Sequence, residues 1–255
     1  MSYLPGKFVW FEHVSAQSAN AKTFYAGLFG WKVEDVSMGE GAPPYAMIHN
    51  ADVGIGGVRD AEAGERSHWL SYVSVPDVNA VFDLALAAGA KPLMPPTDFG
   101  QAGRGATLAD PTGALVALWR AAQEDRADTE DTPAGDWCWN ELWTSDAEKA
   151  LAFYKKVIGY EVDTVDMGEH GSYYILKTGY KQRAGLSSSV HPAAPSLWLP
   201  YVLVDDCDAQ AKKAASLGGT VMFGPEDIPG IGRFAILQDP TGAPLAIMKP
   251  SARAA

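Results

Sequence analysis

The sequence predicts an α+β protein of two domains in tandem, each assembled from two βαβββ modules. Three observations carry this: a repeat of fixed spacing, helical apolar stripes that each precede short strand runs, and a pair of identical turn tetrapeptides. Placing each residue beside the one 129 positions on brings Trp10 to Trp139, Glu12 to Glu141, Phe24-Tyr25 to Phe153-Tyr154 and Gly30 to Gly159. The same offset matches Trp69 and Tyr72 with Trp198 and Tyr201, and Gly103-Arg104 with Gly232-Arg233. It also superposes Asp110-Pro111-Thr112-Gly113 on Asp239-Pro240-Thr241-Gly242. Constant spacing over about a hundred positions means two copies of one domain, here residues 1–120 and 136–255. Residues 121–135 carry Glu124, Asp125, Asp128, Glu130, Asp131 and Pro133. That stretch is too acidic and too poor in large apolar groups to pack, and is expected to be a linker.

Each element follows from its pattern. Residues 8–14 read as a strand, and Ala21, Phe24, Tyr25 and Leu28 lay one apolar stripe along a helix at i, i+3, i+4, i+7. The second copy repeats the stripe as Ala150, Phe153, Tyr154 and Val157, with Ser145 and Glu148 spaced as a capping box. Short strands are expected at 31–36, 45–50 and 53–58, with turns at Gly39-Glu40 and Gly168-Glu169. The order then restarts. Residues 69–75 form a strand, Val78, Val81, Phe82 and Ala85 make a second stripe ended by Gly89, and strands follow at 91–94, 106–108 and 115–119. Asp110 to Gly113 suits the tight turn between the last two.

Composition narrows the function classes. The chain has 255 residues, 47% of them hydrophobic, and a formal charge of -11 from 20 basic and 31 acidic side chains. Neither half is basic, which disfavours nucleic acid and anionic membranes as partners. With no apolar run near the roughly 18 residues of a membrane span and no signal-type start, the expectation is a soluble cytoplasmic protein. Cys138 and Cys207 lack CxxC spacing, so neither a disulfide scaffold nor a cysteine zinc site is expected.

Four tandem βαβββ modules, with FY-x2-LFGW at 24–31, FY-x2-VIGY at 153–160 and the two GR…DPTG closings, resemble the vicinal oxygen chelate superfamily of glyoxalases, bleomycin-resistance proteins and extradiol dioxygenases. The resemblance covers nearly the whole chain and is closest to two-repeat glyoxalase-like proteins. It implies that two modules curl eight strands into a cup whose concave side holds a small molecule, giving two cups here. It also implies, for members that do chemistry, one divalent ion held by His and Glu side chains. The corresponding positions fall on Trp10 and Trp139, near Leu70 and Leu199, and near Ala117 and Ala246, and residues 53–58 and 182–187 hold no His or acid. Indole and aliphatic groups do not ligate such an ion. None of the five histidines occurs in both copies. No metal and no cofactor are therefore expected. HExxH, GxSxG and Walker motifs are absent, and residues 54–59 match a dinucleotide loop only weakly.

Strand alternation turns Trp10, Glu12 and Val14 into the first cup with Leu70, Tyr72, Leu115, Ala117 and Trp119. Trp139, Glu141, Leu199, Tyr201, Ala246 and Met248 face the second. Such walls suit an organic ligand, and the candidate binding residues are Trp10, Glu12, Tyr72, Arg104, Trp119, Trp139, Glu141, Tyr201 and Arg233. A glutamate amid an aromatic strand must be paired or protonated, and Arg104 and Arg233 are its candidate partners. Glu12 and Glu141 then read as ligand-bonding or acid–base groups, as internal Glu-to-Arg or Glu-to-Tyr contacts that fix the strand, or as exposed side chains at an open rim. Arg104 and Arg233 either reach an anionic ligand or brace the module joint. The leading reading is a metal-independent protein that binds an aromatic or apolar metabolite or drug in its cups, and that could form a homodimer. Two alternatives stay open: a metal-dependent glyoxalase-like lyase, isomerase or dioxygenase, and a structural or regulatory protein with closed cups.

Overall fold

The computed structural model describes residues 3–38, 44–129, 131–168, 171–188 and 194–251. The first copy runs β1 (Phe8–Ser15), α1 (Ser18–Phe29), β2 (Lys32–Val36), β3 (Tyr45–Asn50), β4 (Val53–Asp60), then β5 (His68–Ser74), α2 (Val78–Ala87), β6 (Lys91–Asp98), β7 (Gly103–Ala109) and β8 (Leu115–Ala121). The second runs β9 (Trp137–Thr144), α3 (Ala147–Val157), β10 (Glu161–Asp166), β11 (Ser172–Thr178), β12 (Lys181–Ser188), β13 (Leu197–Leu203), α4 (Cys207–Ser216), β14 (Thr220–Ile228), β15 (Gly232–Gln238) and β16 (Pro244–Pro250). The βαβββ order thus appears four times. Each copy closes its own eight-stranded sheet, in the order β2-β3-β4-β1-β5-β8-β7-β6 and β10-β11-β12-β9-β13-β16-β15-β14. In the first, β1 lies at the centre, parallel to β4 and antiparallel to β5.

The helical stripes are buried as their spacing requires: Ala21, Phe24, Tyr25 and Leu28 in α1, and Ala150, Phe153, Tyr154 and Val157 in α3. The capping box is corrected. Asp146, not Ser145, caps α3 and accepts from the Lys149 amide, because a carboxylate one residue nearer the helix reaches its N3 amide directly. Of the two expected hairpin turns, Gly39, Glu40 and Glu169 lie outside the described residues.

The back of each sheet turns away from its cup, and one apolar core joins the two copies there. Phe8 meets Trp198 at 4.7 Å and Phe11 meets Trp137 at 4.5 Å between ring centroids. Reciprocal polar latches cross the same interface. The Trp69 indole donates to the Tyr25 hydroxyl (2.9 Å), which donates to Asp239 Oδ2 (2.9 Å) in the closing turn of the other copy. Trp198, Tyr154 and Asp110 repeat the relay in reverse at 2.8 and 3.0 Å. In the first copy alone a histidine joins it, with His13 Nε2 at 2.7 Å from Asp239 Oδ2.

Two expectations about the repeat are revised. Across β3 and β4 the spacing drops to 128: Gly57 pairs with Glu12 as Gly185 pairs with Glu141, and Met47 faces Gly57 as Ile175 faces Gly185. Trp69 and Trp198, which face His13 and Leu142, restore 129. The acidic segment after β8 does connect the copies, yet it packs. Asp125 is buried and accepts from Ser74 Oγ (2.6 Å) and the Leu4 amide (2.7 Å), and Asp128 pairs with Arg183 (2.7 Å) and Lys7 (3.2 Å). Carboxylates with donors waiting for them can be buried where free ones cannot.

Candidate ligand cup

Inner-face alternation on β1 brings Trp10, Glu12 and Val14 to the cup, and the ladder sets Trp10 beside Tyr72 and Tyr72 beside Ala117. Val14, Leu70 and Ala117 form an apolar floor with Tyr72 and Leu115 against it. In the middle stands Glu12, 5% exposed. Tyr45 donates to its Oε1 (2.7 Å), and Tyr72 (3.0 Å) and Arg59 Nε (3.1 Å) donate to its Oε2. The Trp10 indole in turn donates to the Tyr45 oxygen (3.1 Å). Burial, and then the Glu12 charge, push both phenols up, so they stay protonated donors. Arg59 continues to Glu65 through a two-pronged contact of 2.9 and 2.8 Å. Its hydrogen bonds hold the Glu65 carboxyl below the usual range.

The second cup keeps the carboxylate and changes its company. Glu141 accepts from Ser187 (2.9 Å) and the Trp143 indole (2.9 Å) on Oε1, and from Tyr201 (2.8 Å) on Oε2. Trp139 donates to Tyr173 (3.0 Å), as Trp10 does to Tyr45. At spacing 128 Ser187 stands where the first copy has Arg59, so among the described residues no guanidinium bonds this carboxyl. Burial pushes it above its ordinary value, against the bonds from Tyr201, Ser187 and Trp143 that favour its charge. Around it Leu199, Tyr201, Ile236 and Ala246 pack with Trp139, Trp143, Phe234 and Met248 into an apolar cluster. Trp143 and Ile236 take the places of Val14 and Thr107 in the first cup, filling it further.

A cavity of about 2080 Å³ takes in the first cup, where Trp10, Glu12, Arg59, His68, Tyr72 and Trp119 line it. It runs on beneath the linker past Asp125, Asp128 and Arg183, which is why it exceeds the roughly 300–1,000 Å³ of a single ligand chamber. Of the nine residues expected to bind ligand, the structure gathers Trp10, Glu12, Tyr72 and Trp119 in one cup. Trp139, Glu141 and Tyr201 meet in the other, where neither Glu141 nor Tyr201 lines the cavity. Arg104 and Arg233 stand apart from both glutamates, correcting the expected pairing. Arg104 spends its guanidinium on Asn79 (2.9 Å), the Pro96 carbonyl (3.0 Å) and Asp98 (2.7 Å), and Arg233 on Asp208 (2.6 Å) and Asp227 (3.2 Å). Each ties the outer hairpin of its copy to a helix start within one module, and so braces that module rather than the joint between modules.

Arg59, Tyr45 and Tyr173 were missed. Their signal is the alternation Gly57, Arg59 on a strand beside Glu12, with a tyrosine on the neighbouring strand two residues before the one that faces the glycine. A Cβ on Gly57 would overlap the Tyr45 hydroxyl, and one on Gly185 the Tyr173 hydroxyl, so each glycine makes the room its tyrosine needs.

The cup does not fit a divalent ion. Among the described residues no three His, Cys, Asp or Glu side chains converge as a ligand set. The one carboxylate on the first floor already accepts three bonds, one of them from a guanidinium that would repel a cation.

The sequence matches the profile of the glyoxalase/bleomycin resistance protein/dioxygenase superfamily twice, over residues 7–118 and 138–247. It is 37% identical over 253 residues to the "Putative glyoxylase CFP32" of Mycobacterium tuberculosis, covering 98% of this chain and 97% of that one. It is 31% identical over 268 residues to the anthracycline biosynthesis protein DnrV of Streptomyces peucetius, covering 97% and 94%. Among solved structures, the Mn(II)-bound glyoxalase of Novosphingobium aromaticivorans superposes with a TM-score of 0.65 at 19% identity, over 96% of this chain and 82% of that one. The 2,3-dioxygenase LapB of Pseudomonas sp. KL28 gives 0.65 at 12%, over 99% and 94%. At these identities the two structures speak to the fold alone. Two profile matches spanning most of the sequence, on two eight-stranded sheets of this topology, mean that the chain belongs to the glyoxalase/bleomycin resistance protein/dioxygenase superfamily.

Proposed function

We propose that the chain is a binding protein for a small planar aromatic molecule, held in the first cup without a metal ion, and that it acts in the cytoplasm. The observation that carries this reading is the floor of that cup. A buried carboxylate that accepts from Arg59 and two phenols lies among Trp10, Tyr72 and Trp119, so the site is aromatic and its carboxylate is satisfied from within the protein. Aromatic walls bind flat ligands through area and ring geometry rather than through coordination. The likeness to DnrV, named for the making of a polycyclic aromatic class, supports the same ligand chemistry. The second cup, filled by Trp143, Phe234 and Met248 around Glu141, takes no part in this binding.

The test is a calorimetric titration with aromatic probes such as 2-naphthol and an anthracycline aglycone. Trp119 forms a wall ring 5.9 Å from both Tyr72 and Phe99. Trp119→Ala is expected to weaken binding about tenfold, the typical loss for an aromatic anchor of ~1.5 kcal/mol. Met248→Ala, the matching change in the second cup, is expected to leave it unchanged. Equal losses in the two variants, or no binding by the native protein, would overturn the proposal.

A further inference from the structure

Around Glu12 most donors are spent inside the protein: the Trp10 indole on Tyr45, the Tyr45 and Tyr72 hydroxyls on Glu12, and four of the five Arg59 N–H groups on Glu12, Glu65 and the Asp60 carbonyl. Beside them the cup holds an acceptor. His68 begins β5 on the inner face, two residues before Leu70, and lines the cavity. Its Nδ1 lies 2.8 Å from the Arg66 carbonyl. A carbonyl only accepts, so Nδ1 carries the ring proton and Nε2 keeps a lone pair. Among the described residues Nε2 has no hydrogen-bond partner. Burial lowers the imidazole's proton affinity, which keeps the ring in this neutral form near pH 7. The position is specific to this cup, because its counterpart in the second copy is Leu197.

Building on the proposed binding function, we infer that His68 Nε2 is a specificity-determining acceptor, selecting aromatic ligands that carry a hydrogen-bond donor on the ring over those of the same shape that lack one. A ligand without the donor leaves the imidazole lone pair dehydrated and unmatched, whereas an O–H or N–H on the ring completes it. The second copy shows that the fold accepts leucine at this place, so His68→Leu removes the acceptor and keeps an apolar surface.

The experiment is calorimetric titration of native protein and H68L at pH 7.5 with 2-naphthol and with 2-methoxynaphthalene, which differ in the hydroxyl proton. The native protein is expected to prefer 2-naphthol by about fivefold, the value of one net hydrogen bond. H68L is expected to bind both probes alike, with its affinity for 2-methoxynaphthalene kept. Equal affinity of the native protein for the two probes overturns the acceptor role and leaves the binding function standing. A preference that survives in H68L does the same. Failure of the native protein to bind either probe removes the binding function itself, and the acceptor with it.

Discussion

Asp239→Ala is expected to cost about 4 kcal/mol of folding stability, the scale of stranding partners of a buried charge. The carboxylate is 4% exposed and accepts on both sides. Oδ1 takes the Thr241 amide (2.8 Å), the Thr241 hydroxyl (2.7 Å) and the Ala243 amide (3.0 Å), which shape the closing turn. Oδ2 faces Tyr25 and His13 of the other copy. Alanine would therefore open a turn and leave two buried polar groups unpaired across the interface. Asp110 has the same turn bonds and Tyr154, with no histidine. Asp110→Ala should cost about 1–2 kcal/mol less. Urea unfolding at pH 7 reads both, and losses under about 1 kcal/mol in both variants would contradict the role given to these latches. Burial raises the Asp239 carboxyl, but the hydrogen bond and charge of His13, with Thr241 and Ala243, outweigh it and hold it below its ordinary range. Its folded value is thus lower than its unfolded one. The stabilisation is present above the ordinary carboxyl range and is lost as pH falls through the lowered value. Asp239→Ala should flatten that acid limb.

Gly57→Ala is expected to destabilise by about 3 kcal/mol and to abolish binding in the first cup. An added Cβ would overlap the Tyr45 hydroxyl and crowd its ring, a small-to-large change of the kind that costs ~1–3 kcal/mol. Tyr45 must then leave Glu12 and Trp10, and a hydrogen bond to a charged group is worth about 1.5–3 kcal/mol. Because the cause is one named contact, a double-mutant cycle with Tyr45→Ala isolates it. The two substitutions together should cost at least 1 kcal/mol less than their sum, the range for residues in contact. Strict additivity would mean that Tyr45 does not occupy the space beside Gly57.

Much of this architecture is legible in the sequence. The i, i+3, i+4, i+7 stripes select the buried residues of α1 and α3, and strand alternation puts Trp10, Glu12, Val14, Leu70, Tyr72 and Ala117 on one face. Beyond Tyr72 and Tyr201, the partners of the two glutamates are not legible, for a reason of register. Side chains alternate with period two along a strand, so a one-residue slip moves a residue to the other face of the sheet. At a spacing of 129 Arg59 aligns with Ser188; at the true 128 it aligns with Ser187, which bonds Glu141. The adjacent pair Tyr173-Tyr174 conceals the slip, since either offset brings a tyrosine to Tyr45. Arg104 and Arg233 looked eligible because they repeat at a glycine. Asn79 and Asp208, the first-turn helix residues that claim them, reveal themselves only once each helix is laid against its outer hairpin.

The proposed function rests on a first cup held by internal donors around Glu12 rather than by a metal ion. Its most direct test is metal content by inductively coupled plasma mass spectrometry, after the native protein is equilibrated with Mn, Fe, Ni and Zn salts and passed through a desalting column. The account predicts less than about 0.1 equivalent of each, as expected where the floor carboxylate Glu12 already faces a guanidinium. One equivalent of a single metal that disappears in Glu12→Gln would contradict it.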